Sequence, residues 1–217
     1  MRINTFDKLL SIPKSFYVSL RLCGLKRAFK LPILVRFNCK LMKLSGRVTG
    51  EGKLDIGFGN VGIFDKCYQR SILEISGLIV MNGYAHFGPG CRFVVGKDGN
   101  LTLGNNVANS AACSVICMKS VHIGDDTIIS WDTLIMDTDF HRIYNYETDS
   151  MSIPTKDIVI ESNCWLGARS VILKGAYLRN NSIVAANTTI TRKYNDSSVL
   201  IAGNPAIIKR HGLKPIP

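Results

Sequence analysis

The chain has 217 residues, enough for one domain or two, and 46% of them are hydrophobic while only 8% are aromatic. No apolar run reaches the roughly 18 residues that a membrane-spanning helix needs. The N-terminus has no uninterrupted apolar segment before a small-residue cleavage site, so we expect no signal peptide. The formal net charge of +11 suggests two kinds of partner, nucleic acid or an anionic membrane. We expect no nucleic-acid partner, because no recognition motif accompanies the charge.

The first 53 residues carry most of that charge. They contain twelve Lys and Arg side chains against Asp7 and Glu51, so 12 − 2 = +10 of the total of +11 lies here. Pro13 and Pro32 bracket a stretch in which apolar and basic residues alternate at roughly helical spacing, which predicts one helix of about four turns between them. The residues of its predicted apolar face are Phe16, Tyr17, Leu20, Leu22, Leu25, Ala28 and Phe29.

Two interpretations of this basic segment stay open. Its apolar face can cover the open end of a repetitive fold, which such ends require. In addition, its basic face can contact an anionic membrane surface through residues 8–43. A basic side chain near such a surface contributes about 1 kcal/mol to binding.

A six-residue repeat runs from Ile160 to Ile190. Neither the helical period of 3.6 nor the strand period of 2 explains a period of six. The repeat predicts a parallel β-helix, in which each six forms a short strand and a turn, three sixes close one triangular coil, and the aliphatic residue points inward. The aliphatic positions are Ile160, Leu166, Ile172, Leu178, Val184 and Ile190, and the small residues four places later are Cys164, Ser170, Ala176, Ser182 and Thr188.

The repeat is weaker before residue 104 and is interrupted once near the middle. Ile56, Ile75, Phe87, Phe93 and Leu103 are the candidate inward positions of the early coils. Ile123, Ile129 and Ile135 follow at six-residue spacing, and Thr127 and Thr133 fill the small positions. The next step of six falls on His141, and residues 142–157 fit no repeat, so they are predicted to leave the wall as a loop. We therefore predict an all-β protein with a cap at 1–45, a β-helix at 46–201 and a tail at 202–217.

His141 is the candidate catalytic residue. Asp137 and Asp139 precede it, and an imidazole beside a carboxylate suits a general base, because the carboxylate orients the ring and stabilises the imidazolium. The alternative is a surface histidine beside two solvated acids. We expect His86 and His122 to lie beside core positions within strands.

The seven cysteines are an odd set without paired metal-ligand spacing. Cys113 and Cys117 are four residues apart, but no second pair or nearby histidine completes a zinc site. We expect small core residues in a reducing compartment, and no bound metal. Cys113 and Cys117 are also the nearest candidates for a covalent acyl intermediate, although neither has a basic neighbour in sequence to lower its pKa.

Three stretches, Trp165–Gly175, Ile183–Arg192 and Ala202–Ala206, resemble the closing coils of hexapeptide-repeat acyltransferases. Met136–His141 resembles the catalytic segment of that family. Within it, the chain is most similar to the O-acetyltransferases of bacterial capsule, O-antigen and exopolysaccharide clusters, which are related to galactoside, maltose and nodulation-factor acetyltransferases. The resemblance covers about residues 100–210 and is looser over the first 50.

The resemblance implies a left-handed parallel β-helix, a homotrimer, and acetyl-CoA bound in the groove between neighbouring subunits. It further implies a cytoplasmic enzyme acting on a sugar or glycolipid-linked acceptor, peripheral at the inner face of the membrane if the basic segment binds there. His141 matches the base, with Asp139 or Asp137 to orient it, and Asn109 and Ser110 align with a polar residue that holds the acceptor or the thioester oxygen. The cofactor positions that match are Trp165, Gly167, Ala168 and Ala186 along the pantetheine, and Thr191, Arg192, Lys193 and Arg210 at the nucleotide end.

The sequence departs from the family at two of these positions. Ile207 stands where sugar acetyltransferases often have Arg, and Arg192 replaces the commoner Lys. Three alternatives also remain open: an N-acetyltransferase of an amino sugar, a β-helix scaffold without catalytic activity, and a zinc enzyme that uses His86, His122 and His141.

Overall fold

The computed structural model describes residues 4–65 and 68–216; Cys67 lies outside these residues. Its two helices are α1 (Thr5–Cys23) and α2 (Leu25–Ala28). The strands are β1 (Ile33–Val35), β2 (Lys40–Leu44), β3 (Arg47–Thr49), β4 (Lys53–Ile56), β5 (Ile72–Ile75), β6 (Leu78–Met81), β7 (Tyr84–Phe87), β8 (Arg92–Val95), β9 (Asn100–Leu103), β10 (Val107–Asn109), β11 (Ser114–Cys117), β12 (Ser120–Ile123), β13 (Ile128–Ile129), β14 (Leu134–Met136), β15 (Tyr144–Asn145), β16 (Ser150–Met151), β17 (Ile158–Ile160), β18 (Trp165–Leu166), β19 (Val171–Leu173), β20 (Tyr177–Leu178), β21 (Ile183–Val184), β22 (Thr189–Ile190), β23 (Lys193–Tyr194), β24 (Val199–Gly203) and β25 (Ala206–His211).

The strands form three long sheets that are the faces of a triangular prism. Sheet A contains β1, β4, β7, β10, β13, β18, β21, β24 and β25; sheet B contains β2, β5, β8, β11, β14, β19 and β22; sheet C contains β3, β6, β9, β12, β17, β20 and β23. Neighbouring strands pair in parallel, except that β25 returns antiparallel to β24. The chain visits A, B and C in turn and rises by one strand at each return, which confirms the predicted parallel β-helix.

The hexapeptide register is confirmed by burial. The six aliphatic positions from Ile160 to Ile190 are at most 1% exposed, and so are the five small residues that follow them. The candidate inward residues of the early coils, Ile56 to Leu103, are buried to the same extent. A narrow prism filled by side chains from three walls therefore explains the period of six.

The corners of the prism explain the residues that follow each aliphatic position. Three places after it, the backbone takes a left-handed conformation, as at Asp126, Asn163, Asn181 and Asn187, where φ lies between 53° and 64°. Asn and Asp tolerate this region better than most residues because their short side chains bond locally. The turns are therefore encoded locally, coil by coil.

The ends of the β-helix differ from the predicted boundaries. The first coil begins with β1 at Ile33, within the segment predicted as the cap, because Leu54 on the next coil pairs with Ile33. At the other end β25 occupies Ala206–His211, within the predicted tail, and closes sheet A by antiparallel pairing. The cap that precedes the coils is therefore α1 with α2.

The prediction of one helix between Pro13 and Pro32 is wrong. Helix α1 begins at Thr5, where the Asn4 side chain accepts a hydrogen bond from the Phe6 N–H at 3.0 Å, and it passes through Pro13. Proline removes one backbone donor and crowds the preceding turn, but here it lies on the exposed side of the helix, where water can satisfy the Leu9 carbonyl. The helix ends at Gly24, whose φ of 80° few other residues adopt readily.

The predicted apolar face of this segment covers the prism only in part: Leu22 and Ala28 are buried, but the larger share of the face is not. The buried side of α1 consists of Ser11, Ser15, Val18, Ser19 and Leu22. Tyr17, Leu20, Leu25 and Phe29 of the predicted face are exposed.

Polar side chains face the prism because the first coil presents unpaired backbone groups. The Ser15 hydroxyl accepts a hydrogen bond from the Val35 N–H at 3.0 Å, and the Ser19 hydroxyl donates to the Ile33 carbonyl at 3.2 Å. Since buried backbone groups need partners, a serine-lined helix closes this edge of sheet A.

Candidate functional site

The loop predicted at residues 142–157 is part of a longer segment, residues 137–157, which we call the excursion. It lies between β14 on sheet B and β17 on sheet C, and β15 and β16 form its antiparallel hairpin. Backbone hydrogen bonds close its base: the Asp139 N–H donates to Pro154 at 2.9 Å, and the Lys156 N–H donates to Asp137 at 3.0 Å. Thr138 and Thr155 form an antiparallel bridge between these contacts. The excursion is therefore anchored at its root, where His141 follows.

His141 is exposed at the beginning of the hairpin. Two residues earlier, Asp139 forms an ion pair with Lys174, which belongs to the next coil. The Lys174 ammonium also donates to the Ile153 carbonyl at 2.8 Å on the returning side of the excursion. One lysine thus contacts both sides of the loop that carries His141.

Asp137 has a different environment. Its side chain is fully buried, and its carboxylate accepts hydrogen bonds from the N–H groups of Met118 (2.7 Å), Lys119 (2.7 Å) and Ser120 (2.8 Å). These bonds hold the turn of the preceding coil between sheets B and C. This geometry gives Asp137 a structural role, and the orientation of His141 by Asp139 stays a prediction.

The corner between sheets A and B contains the predicted pantetheine positions. A Cβ at Gly167 would lie 2.7 Å from the Ala186 nitrogen, so only glycine permits this spacing of the coils. Ala168 follows Gly167, and its carbonyl accepts a hydrogen bond from the Asn187 N–H at 3.0 Å. Ala168 is half-buried and Ala186 exposed, which leaves a ridge of small residues along which an extended ligand can approach the backbone.

A pocket of about 340 Å³ lies on the outer surface of sheet A beside this corner. Its lining includes Tyr84, His86, Ser110 and Ser130. Trp165, which is 43% exposed, donates from its indole N–H to the Ser130 hydroxyl at 3.1 Å. His86 Nε2 and the Ser110 hydroxyl are buried and have no hydrogen-bond partner among the described residues. Buried polar atoms without partners are costly, so these two are candidates for contacts with a ligand.

His86 is the residue of this pocket that the sequence analysis missed. It lies on the outward side of β7 and is 7% exposed. The prediction that it lies beside a core position accounts for its burial, but did not include that its side chain lines a pocket. Burial lowers its pKa, opposed by the charge of Asp55 and a hydrogen bond to the Phe58 backbone. Asp55 accepts a hydrogen bond from the Tyr84 hydroxyl at 2.8 Å, and burial raises the pKa of that carboxyl. A lone histidine in a weak repeat carried no sequence signal for this arrangement.

Asn109 lies inside the prism and not at the surface. Its amide donates to the Ile129 carbonyl at 3.0 Å and the Ser130 carbonyl at 3.2 Å, and its oxygen accepts a bond from the Cys91 thiol at 2.9 Å. It is 1% exposed and occupies a position where other coils have an aliphatic residue. Its side chain is therefore not available to an acceptor, which leaves Ser110 for that role.

The predicted nucleotide-binding residues all lie at the C-terminal end of the prism. Arg192 donates to the Ala206 carbonyl at 3.3 Å, and its guanidinium lies 5.3 Å from the centre of the Tyr194 ring. Thr191 and Lys193 are exposed beside it, and Arg210 is exposed on β25. Ile207, at the position where relatives often have Arg, is 46% exposed.

The cysteine thiols are poor nucleophiles in this fold. Cys113 and Cys117 are fully buried, and burial raises the pKa of the Cys113 thiol well above its usual range. Burial, with the nearby Asp137 charge, raises the pKa of Cys117 to about 12. Both thiols are therefore protonated at neutral pH.

Apart from the nucleotide-binding residues at the C-terminal end, the structure places the predicted catalytic and pantetheine residues in two regions rather than one. His141 and Asp139 lie at the corner between sheets B and C, whereas Ser110, Gly167 and Ala186 lie at the corner between sheets A and B. His86 and His122 face outward from sheets A and C. Within residues 4–65 and 68–216, no group of three potential ligands is arranged for a metal ion.

A model of the family described as "Hexapeptide repeat of succinyl-transferase" matches residues 157–192. The chain is 24% identical, over 88% of its own length and 90% of the relative, to the "Putative lipopolysaccharide biosynthesis O-acetyl transferase WbbJ" of Escherichia coli K12. It is 30% identical to the galactoside O-acetyltransferase of Lactococcus lactis, over 42% of this chain and 53% of the relative.

Two further proteins that are similar to the chain act on polysialic acid according to their names. The polysialic acid O-acetyltransferase of Escherichia coli O1:K1 is 31% identical over 54% of this chain, which spans only 39% of that protein. The crystal structure of the polySia-specific acetyltransferase NeuO superposes with a TM-score of 0.54 at 20% identity, covering 85% of this chain and 84% of that one. The latter similarity supports the fold.

Proposed function

We propose that this chain, whose closing coils match a hexapeptide-repeat model and which is similar to O-acetyltransferases, transfers an acetyl group from acetyl-CoA to a sugar hydroxyl during synthesis of a bacterial surface polysaccharide. The excursion is the observation that carries this proposal. It holds an exposed imidazole, His141, two residues from a carboxylate that Lys174 fixes. A scaffold without catalytic activity has no need of this arrangement.

The proposed reaction is a direct transfer. The acceptor hydroxyl donates a hydrogen bond to His141, which takes the proton as the hydroxyl oxygen attacks the thioester carbonyl. The tetrahedral intermediate then collapses, the carbon–sulfur bond breaks, and the imidazolium returns the proton to the leaving thiolate. Such a base contributes typically about 10²–10⁴ to the rate. Asp139 orients the ring, and backbone N–H groups or the Ser110 hydroxyl stabilise the oxyanion.

The two regions become one site if a second copy of the chain lies against the first. His141 at the corner between sheets B and C would then face the pocket and small-residue ridge of its neighbour. A heterologous contact repeated by rotation closes into a ring, and the family resemblance implies three subunits. This arrangement places the acetyl-CoA groove between subunits.

In this site we assign the acceptor to the pocket on sheet A. Its unpartnered polar atoms, His86 Nε2 and the Ser110 hydroxyl, suit the hydroxyl groups of a sugar, and the Trp165 ring offers the apolar surface on which sugars and thioesters pack. The lowered pKa keeps His86 neutral at pH 7. A neutral imidazole can donate or accept one bond at Nε2, depending on its tautomer.

Acetyl-CoA follows the ridge formed by Gly167, Ala168 and Ala186. Its phosphates reach the C-terminal end of the prism, where Arg192, Lys193 and Arg210 supply positive charge. The stacking of Arg192 on Tyr194 pre-organises one of these cations.

The family resemblance implies that the reaction takes place in the cytoplasm. The six described cysteines are free. Neither α1 nor α2 is long and apolar enough to cross a membrane.

The test is an assay of acetyl transfer from acetyl-CoA to a panel of free, nucleotide-linked and lipid-linked sugars. The free thiol of released CoA measures the rate, and mass spectrometry identifies the products. An added acetyl group that mild alkali removes supports O-acetylation. A group that survives alkali shows an N-acetyltransferase. If the protein neither binds acetyl-CoA in calorimetry nor modifies any acceptor, the scaffold interpretation replaces this proposal.

A further inference from the structure

The outward face of helix α1 is apolar. Phe6, Leu9, Ile12, Tyr17 and Leu20 are exposed to 66%, 59%, 39%, 50% and 37%. At 100° per residue, Phe6, Leu9, Tyr17 and Leu20 lie on the side opposite the serine face that binds the first coil, and Ile12 lies at the edge between the two faces. A surface helix usually turns its large apolar residues toward the protein. Helix α1 instead turns its serines toward the protein and most of its large apolar residues toward the surroundings.

Helix α2 and the residue after it extend this surface. Leu25 is 60% exposed and Phe29 is 73% exposed, and the Phe29 ring packs edge-on against Phe16 with 5.4 Å between ring centres. Single exposed apolar residues are normal, but a contiguous apolar surface marks an interaction site. We call the outward surface formed by residues 6–29 the end face.

The basic residues of this segment divide into two groups. Lys14, Arg21 and Arg27 turn toward the prism, where they donate to carbonyls of the first coil, such as Leu44 (3.1 Å) and Val48 (2.8 Å). Lys8 has the same angular position on α1 as the buried serines, and its charge acts on Asp55. Lys26 and Lys30 are exposed and form no salt bridge with any residue that the structure describes. The first group caps the fold and the second borders the end face.

We propose that the end face rests on the surface of an anionic lipid bilayer. Its apolar side chains would enter the boundary between headgroups and acyl chains, and Lys26 and Lys30 would pair with lipid phosphates. An apolar surface bordered by Lys26 and Lys30 is complementary to anionic lipid, whereas a second copy of the same surface would bring like charges together.

The position of α1 supports this occupant. The helix packs on all three strands of the first coil, so it lies across the end of the prism and leaves its outer side unobstructed. If the proposed trimer forms, rotational symmetry puts three end faces on the same side of the assembly, where they can bind one bilayer together. The sequence alone indicated a basic membrane-binding face, and the structure instead points to an apolar face with a basic border.

The test is co-sedimentation of the full chain with vesicles of phosphatidylcholine alone or mixed with phosphatidylglycerol, at low and high salt. We expect binding to the mixed vesicles that salt weakens. Leu9→Gln with Leu20→Gln, or Lys26→Glu with Lys30→Glu, should weaken it at least about tenfold. Arg27 is left unchanged because it caps the first coil.

Matched controls change the same residue types elsewhere. Ile63→Gln with Ile216→Gln removes two exposed apolar side chains, and Lys97→Glu with Lys214→Glu reverses two exposed charges; neither pair should affect vesicle binding. The circular dichroism spectrum and the transfer to a water-soluble acceptor should be unchanged in the Leu9 and Leu20 variant. A failure of the membrane proposal can therefore be distinguished from a failure of the proposed activity.

Three results would overturn the inference. Recovery in the supernatant with both lipids at low salt excludes the bilayer. Binding that the Leu9 and Leu20 changes leave intact moves the contact to another surface. If the mass of the oligomer doubles as concentration rises, and does so only when Leu9 and Leu20 are present, the end face binds a second copy of the chain.

Discussion

Asp139 and Lys174 form an ion pair that joins the root of the excursion to the following coil. The lysine side chain is 19% exposed and also donates to the Ile153 carbonyl on the opposite side of the loop. The loop that carries His141 is thus held from both sides by a residue of the regular scaffold. Positioning of this kind reduces the entropy that a catalytic side chain loses in the transition state.

Replacing Lys174 by Met should release the loop with little effect on the fold. We expect kcat to fall by about tenfold while the melting temperature changes little, since a partly exposed ion pair contributes only about 0–1 kcal/mol. Lys174→Arg should restore most of the activity. Limited proteolysis within residues 142–152 provides the second readout, with Lys97→Met as the control; unchanged cleavage and unchanged kcat would show that Lys174 does not position the loop.

His141→Ala should lower acetyl transfer by about two to four powers of ten, because the base that accepts the hydroxyl proton is lost. Acetyl-CoA affinity, measured by calorimetry, should change little, since the ring contacts the acceptor. His211→Ala is the control, because His211 is an exposed residue of β25. Comparable activity in His141→Ala and the wild type would remove His141 from the mechanism.

Asp137→Asn and Asp139→Asn should have opposite consequences. Asp137 accepts three backbone hydrogen bonds, and bonds to a charged group are worth about 1.5–3 kcal/mol each, so its change should lower the free energy of unfolding by several kcal/mol. Asp139→Asn should lower kcat with little loss of stability. Chemical denaturation and steady-state kinetics separate the two effects, and a reversed pattern would exchange the assignments.

His86→Ala should raise KM for the acceptor and leave KM for acetyl-CoA unchanged, because the side chain lines the proposed acceptor pocket. His86→Gln, which keeps a polar atom near the position of Nε2, should retain part of the affinity. His122→Ala, a change on sheet C, is the matched control. Equal acceptor KM values in wild type and His86→Ala would mean that the acceptor lies elsewhere.

Cys113→Ala and Cys117→Ala should each retain transfer activity per folded molecule, because the raised pKa values keep both thiols protonated and burial keeps them from substrate. A direct mechanism also predicts that no acetylated protein accumulates with acetyl-CoA in the absence of acceptor. Intact-mass measurement checks this. An acetylated form of the wild-type protein that is absent in one of the two variants would establish a covalent route.

The sequence by itself determined the β-helix. The aliphatic residues from Ile160 to Ile190 recur with a period of six, small residues follow them four places later, and both sets are buried in the prism. This signal is local and recurs along the closing coils, so single irregularities do not hide it. The interruption after Ile135 located the excursion for the same reason, since a break is visible against a regular background.

Only the tertiary structure decided how the irregular parts are arranged. Asp137 and Asp139 are equivalent in sequence, yet backbone groups of the preceding coil bind one and a lysine of the following coil binds the other. Asn109 turns inward and α1 turns its serines inward because distant backbone groups there need hydrogen-bond partners. Such partners are distant in the sequence, 14 positions away for Ser19 and 17 to 19 positions away for Asp137, and a periodic pattern cannot specify them. The physical difference is between side chains buried by their own repeat and polar groups satisfied by another coil.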